Sequence, residues 1–89
     1  MELLKVSAKS NPNLVAGAVA GILREDKEVE LQAIGAGSVN QAVKAIAVAR
    51  AFLADDEISI ACVPCFTEVS VGEDKRTAIK FAVVRVALT

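Results

Sequence analysis

The 89-residue sequence predicts one α+β domain, residues 1–89, folded as a β-α-β-α-β-β two-layer sandwich: a mixed four-stranded sheet with two helices on one face. Three observations lead there. Two segments, one from Pro12 and one beyond Gly37, space their apolar residues as helices do. Four other runs are rich in Val, Ile and Leu without that spacing. Runs and helices alternate until about Asp56, after which two runs follow each other directly. Right-handed crossovers then bring both helices to the same side of the sheet.

The first strand is Leu3 to Ala8, ended by Lys9-Ser10-Asn11-Pro12. Asn11 suits a helix N-cap, and Pro12 suits the first helical position, where a missing N–H costs nothing. The first helix runs from Pro12 to Glu25, with Leu14, Val15, Ala18, Val19, Ile22 and Leu23 as its apolar stripe. Gly17 and Gly21 each cost a helix about 1 kcal/mol against alanine. With Ala16, Ala18 and Ala20 they form a small-residue face that suggests close approach to a sheet or helix.

The charged turn Glu25–Glu28 leads to a second strand, Val29 to Ile34, ended by Gly35-Ala36-Gly37. Ser38 and Gln41 have capping-box spacing at the start of the second helix. Val39, Val43, Ile46, Ala47 and Phe52 or Leu53 are its expected buried stripe, and Asp55-Asp56 ends it. The third strand is Ile58 to Phe66 and the fourth Thr77 to Leu88, with Gly72 to Arg76 as the hairpin tip between them. Pro64 marks the third strand as an edge or bulged strand. The fourth is apolar on both faces: Ile79, Phe81 and Val83 on one, Ala82, Val84, Val86 and Leu88 on the other. Two helices cover one face only, so a second copy of the chain is the simplest cover for the other. A homo-dimer or higher oligomer through the sheet is therefore expected.

Composition narrows the function. The chain is 54% hydrophobic but 3% aromatic, so its core is aliphatic. Its net charge of -1 argues against a strong, general nucleic-acid coat. Histidine is absent, which removes the commonest general base and the usual zinc sets. No run reaches the roughly 18 apolar residues of a membrane span, and the N-terminus lacks a basic segment followed by an apolar one. A soluble cytoplasmic protein is expected, with no membrane partner.

Gly35-Ala-Gly37-Ser-Val-Asn40 begins like the dinucleotide fingerprint, but Asn40 stands at the third glycine position and no acidic residue follows at the required strand end. A Walker lysine is also missing. Two readings of this turn remain. In the plainer one, Gly37 permits a tight strand-to-helix turn and Ser38 caps the helix. In the other, backbone N–H groups at the positive end of the helix dipole hold a phosphate, with Lys44 on the face of Asn40 one turn in. Charge placement favours the second. Ser7 to Leu23 contains Lys9 and no acid, and Ala33 to Ala54 contains Lys44 and Arg50 and no acid. Both strand-to-helix loops belong to one edge of the sheet, so Lys9-Ser10-Asn11 should neighbour Gly35-Gly37-Ser38.

Cys62-Val-Pro-Cys65 lies in a strand pattern, where residues three apart point to opposite faces. Two thiols do not complete a four-ligand zinc site, so both are expected to be buried packing residues. Ser7, Ser10 and Ser38 have no histidine base, and Asp55-Asp56 fits a solvated turn. No catalytic residue, cofactor or metal is expected. Phe52, Phe66 and Phe81 all fall in core patterns, which leaves no aromatic platform for stacked bases.

The stretches "LKVSAKSNPNLVAGAVAGILRE", "LQAIGAGSVNQAVKAIAVARAFL", "CVPCFTEV" and "RTAIKFAV" resemble the stage V sporulation protein S family, over Leu3 to about Val84. That family is similar to the Alba-like nucleic-acid-binding fold, which has the same element order. The resemblance implies a small bacterial cytoplasmic oligomer with a regulatory part in sporulation or development, acting through nucleic acid. By position, the basic first loop of Alba-like proteins falls on Lys9-Ser10, and their arginine-rich second loop on Gly35-Ala36-Gly37. Their DNA-reaching hairpin falls near Ser70 to Thr77. Here the arginine positions are glycines, and the hairpin carries Glu73 and Asp74 beside Lys75 and Arg76. Each lost phosphate contact lowers affinity and flattens its salt dependence, so weak or RNA-directed binding is expected.

Two functions follow. In the first, Lys9, Ser10, Asn11, Gly35, Gly37, Ser38 and Lys44 hold phosphates, while Asn40 and Gln41 make polar contacts, giving position rather than base readout. In the second, the chain is a protein-interaction module of the same fold that has lost nucleic-acid binding.

Overall fold

The computed structural model describes residues 1–87, so the expected strand residue Leu88 lies outside them. Among the described residues the elements are β1 (Glu2–Val6), α1 (Pro12–Arg24), β2 (Val29–Ala33), α2 (Ala36–Ala54), β3 (Ser59–Val71) and β4 (Asp74–Val86). The sheet order is β1-β2-β4-β3, with β1 and β2 parallel and the other pairs antiparallel. This is the mixed sheet and element order the sequence predicts.

Register fixes the core. Leu4 pairs with Leu31 and Val6 with Ala33, while Val29 pairs with Val83 and Leu31 with Phe81. These side chains share one face, because neighbours across a ladder point the same way. Both helices pack on that face, burying Ala16, Val19, Ala20 and Leu23 of α1 and Ala42, Ala45, Ala49 and Leu53 of α2. Each of Leu23, Leu31 and Leu53 is fully buried, worth about 1.5–3 kcal/mol apiece against exposure.

The buried helix faces overlap the expected stripes only in part: Val15 and Ile22 of α1 and Val39 and Ile46 of α2 pack against the core, and Leu53 is buried in it. In α1, Val19 and Leu23 are buried, but Leu14 is 74% exposed and Ala18 lies outside the core. Gly17 and Gly21 do not mark a close approach, since a Cβ on either would meet no atom within 4 Å. In α2 the alanine row is buried, whereas Val43, Ala47 and Phe52 of the expected stripe are exposed. Alanines let the helix come close to α1 and the sheet. Val43, Ile46 and Ala47 instead turn toward β3, where no further layer covers them.

The hairpin is longer than its expected strands. Thr67, Glu68 and Ser70 alternate polar and apolar positions with Val69 and Val71, so β3 continues to a two-residue turn, Gly72-Glu73, flanked by the pair Val71 and Asp74. Gly72 has φ 63°, the conformation a glycine supplies at the first central position of such a turn. β2 ends where Ala33 faces Ile79, while β4 begins at Asp74, so the outer half of the hairpin projects as an arm. The arm helps stretch the molecule to 44 × 21 × 20 Å.

β3 is an edge strand, as Pro64 suggests. Its position overturns three expectations. Cys62 and Cys65 are exposed rather than buried, and Phe66 is 79% exposed rather than in the core. The helix layer stops short of β3 on the face of Cys62 and Phe66, and Cys65 shares the opposite, uncovered face with Lys80, so an apolar strand pattern there does not imply burial. Phe81, on the central β4, is buried as expected.

The helix-to-strand end is pinned by charge. Arg24 Nε donates to Asp56 Oδ2 at 2.6 Å, and Arg85 Nη1 donates to Leu23 O at 3.4 Å, near the negative end of the α1 dipole. After both helices the chain turns through a residue with positive φ, Asp26 at 60° and Glu57 at 57°. The N–H of Lys27 and of Ile58 then donate back to Ile22 O and Leu53 O.

Candidate nucleic-acid interface

The two strand-to-helix loops meet at the opposite end of the sheet. In the first, residues 7–11 form a closed hydrogen-bonded turn. Ser7 N–H donates to Ser10 Oγ at 2.9 Å, Ser10 N–H to Ser7 O at 3.1 Å, and Lys9 N–H to Ser7 Oγ at 3.2 Å. Asn11 caps α1 as expected, its Oδ1 accepting from Asn13 N–H at 2.9 Å and Leu14 N–H at 3.4 Å. The turn leaves the Lys9 side chain exposed at its apex.

The second loop departs from the expected capping box. Gly35, with φ 88° and ψ 159°, takes the N-cap position, and no side chain caps the helix. That backbone conformation is nearly confined to glycine, which is why α2 starts here and not at Ser38. Ser38 therefore lies inside the first turn and is only 7% exposed. Gln41 does not reach back to the helix start. Its Nε2 donates to Ser10 O at 2.8 Å, across to the other loop. A Cβ on Gly37 would stand 3.0 Å from the Ala8 Cβ, so this glycine is where the loops abut.

The juxtaposition expected from the sequence is thus present, and it sorts the nine candidate residues. Ser10, Asn11 and Gln41 are engaged in building the loops, and Ser38 is buried. Gly35 and Gly37 shape the α2 N-terminus and leave its first-turn N–H groups without a side-chain cap. Lys9, Asn40 and Lys44 are exposed, and among the described residues neither lysine makes an ion pair. The arrangement can present two ammonium groups and a helix N-terminus to an anion.

Two features of this end were not read from the sequence. The arm projects from it farther than the expected tip of Gly72 to Arg76, and adds Glu68 to the acids Glu73 and Asp74 expected there beside Lys75 and Arg76, so acids stand beyond the acid-free loops. Phe66 stands on the arm beside Gly35, Ala36 and Val39, across a groove also lined by Thr77 and Ile79. The signal for both was the polar-apolar alternation past Phe66, which lengthens β3 and carries it clear of the helices. Among the described residues, no three His, Cys, Asp or Glu side chains gather as a metal site, and no helix is long and apolar enough to cross a membrane.

Two helices on one face of a β1-β2-β4-β3 mixed sheet, with paired strand-to-helix loops and a projecting hairpin, define the chain as a small α+β protein of Alba-like arrangement. The family model of stage V sporulation protein S (SpoVS) matches residues 2–86. The chain belongs to that sporulation-related family.

Proposed function

We propose that this chain is a small, non-enzymatic, cytoplasmic regulator of the sporulation or developmental type that binds nucleic acid weakly through phosphates. The carrying observation is the acid-free junction of the two loops, tied by the Gln41–Ser10 hydrogen bond, with Lys9, Lys44 and the uncapped start of α2 at its surface. Lys9 and Lys44 neutralise phosphates, the α2 amides add directional donors, and Asn40 offers a polar contact. Ser10, Asn11, Gly37 and Gln41 act by holding the loops in place. Such contacts position a backbone and carry no base readout.

A second reading has its own support. The exposed Phe66, the apolar flank of α2 and the acids of the arm suit a protein partner better than a polyanion. The double variant Lys9→Glu, Lys44→Glu separates the readings. Both side chains are exposed, so the fold survives the change. Under the first reading nucleic-acid binding is abolished. Binding at the wild-type level would remove the loops from the interface and leave the protein-partner reading.

A further inference from the structure

Phe66 has the sequence pattern of a core residue, yet it stands 79% exposed beside the loop junction. Phe81 is buried and Phe52 lies near the far end of α2, so among the described residues Phe66 is the one aromatic ring free at this end. It faces a groove of about 330 Å³, with Gly35, Ala36 and Val39 on the α2 side and Thr77 and Ile79 on the β4 side. We infer that Phe66 is a stacking platform for one unpaired base, so the nucleic acid that this junction takes is single-stranded. The inference rests on the nucleic-acid reading above and adds the class of ligand to it.

Size and wall chemistry select the occupant. The groove lies at the low end of the roughly 300–1,000 Å³ of small-molecule sites, which is room for a planar ring and not for a packed helix. Its walls are glycine, alanine and aliphatic carbon, which set no charge against the apolar face of a base. The ring has a fixed floor, because Ile79, directly across the ladder from Phe66, packs against the core. Thr77, exposed at the rim, offers its hydroxyl to a base edge. Stacking on such a ring is sequence-tolerant, since every base has a π-face, so it agrees with contacts that hold phosphates without reading bases.

Continuity and charge set the path of the strand. Gly35 and Ala36 belong both to the groove and to the uncapped start of α2, so a base on Phe66 lies next to a phosphate held at the loop junction. The junction side carries Lys9 and Lys44. On the other side Glu68 follows Phe66 on the same face of β3, and Glu73 and Asp74 stand at the tip of the arm. A polyanion that ran on along the arm would meet these acids, so the strand enters over the lysines and ends its contact near Phe66. A duplex keeps its bases paired and stacked inside, which leaves Phe66 nothing to stack on, and its stiffness carries the backbone on over the acids. A flexible single strand sets one base on Phe66 and turns away.

Fluorescence anisotropy of the full chain with single-stranded DNA, the matching abasic strand and duplex DNA tests this, with circular dichroism as a check of folding. The wild type binds the single strand more tightly than the abasic one. Phe66→Ala weakens single-strand binding about tenfold and leaves binding to the abasic strand and the duplex unchanged. The chain has no Trp and no Tyr, so Phe66→Trp supplies a lone emitter; it keeps the wild-type affinity, and the single strand quenches its fluorescence while the duplex does not. Equal affinity of wild type and Phe66→Ala for the single strand overturns the inference and leaves Phe66 to a protein partner. So does Phe66→Trp emission that the single strand does not change. The phosphate reading fails separately: a Lys9→Glu, Lys44→Glu variant that binds the abasic strand at the wild-type level refutes the lysine contacts alone. A wild type that binds none of the three overturns both.

Discussion

Alanine at Gly17 and Gly21 stabilises this protein, and alanine at Gly37 does not. The first two sit inside α1 with no atom within 4 Å of the place a Cβ would take. Each substitution therefore keeps its full gain in helix propensity, about 0.8–1.0 kcal/mol. Together they give about 2 kcal/mol, or a rise in Tm of roughly 8–16 °C for a domain of this size. Gly37 is also helical, but its Cβ would stand 3.0 Å from the Ala8 Cβ, inside normal carbon contact. Ala8 cannot yield freely, because it lies within the hydrogen-bonded turn from Ser7 to Ser10. Overpacking of this kind costs about 1–3 kcal/mol, which cancels or reverses the propensity gain. Urea and thermal unfolding of the three single variants and the Gly17-Gly21 double variant measure the difference. A loss of stability at Gly17 or Gly21 would mean that face of α1 is covered. A gain at Gly37 equal to that at Gly17 would mean the two loops do not abut.

Other substitutions probe the same framework by unfolding. Gly35→Ala costs about 1–3 kcal/mol, since the N-cap conformation at φ 88° and ψ 159° resists a side chain. Gln41→Ala removes the 2.8 Å bond to Ser10 O and costs about 1 kcal/mol, with a further loss of any nucleic-acid binding as the loops separate. Leu53→Ala empties a fully buried position at the α2–sheet contact and costs about 2–5 kcal/mol, much of the stability of a domain this small. Arg24→Ala breaks an ion pair whose side chains are each 46% exposed, so it costs less than about 1 kcal/mol and its effect shrinks with salt.

Order, the start of α1 and core strands were legible because each rests on a local rule. Asn11-Pro12 reads as a cap followed by a first helical residue, and α1 begins there. Val29 to Ile34 and Thr77 to Leu88 read as strands, and within them Val29–Ala33 pairs with Ile79–Val83. The juxtaposition of the two loops followed from topology alone. What escaped depends on how far each layer extends. Phe66, Cys62 and Cys65 have core-like patterns, but the helix layer does not reach the first two on β3, and Cys65 lies on the uncovered sheet face. In α2 the valine row and the alanine row sit side by side, and hydrophobicity favours the valines. The close approach of α1 selects the alanines instead. Ser38 and Gln41 have capping-box spacing, yet Gly35 reaches the N-cap conformation first and frees Gln41 to bridge the loops.

Nucleic-acid binding at the loop junction is most directly tested by fluorescence anisotropy of the wild-type chain with duplex DNA, single-stranded DNA and structured RNA over a salt series. Two lysines per chain predict a slope of log K on log salt near −2, about a tenfold loss between roughly 50 and 200 mM salt. A dimer engaging both junctions doubles that slope. Weak binding with this dependence supports the phosphate contacts. No binding to any of the three at low salt, or binding indifferent to salt, would contradict them.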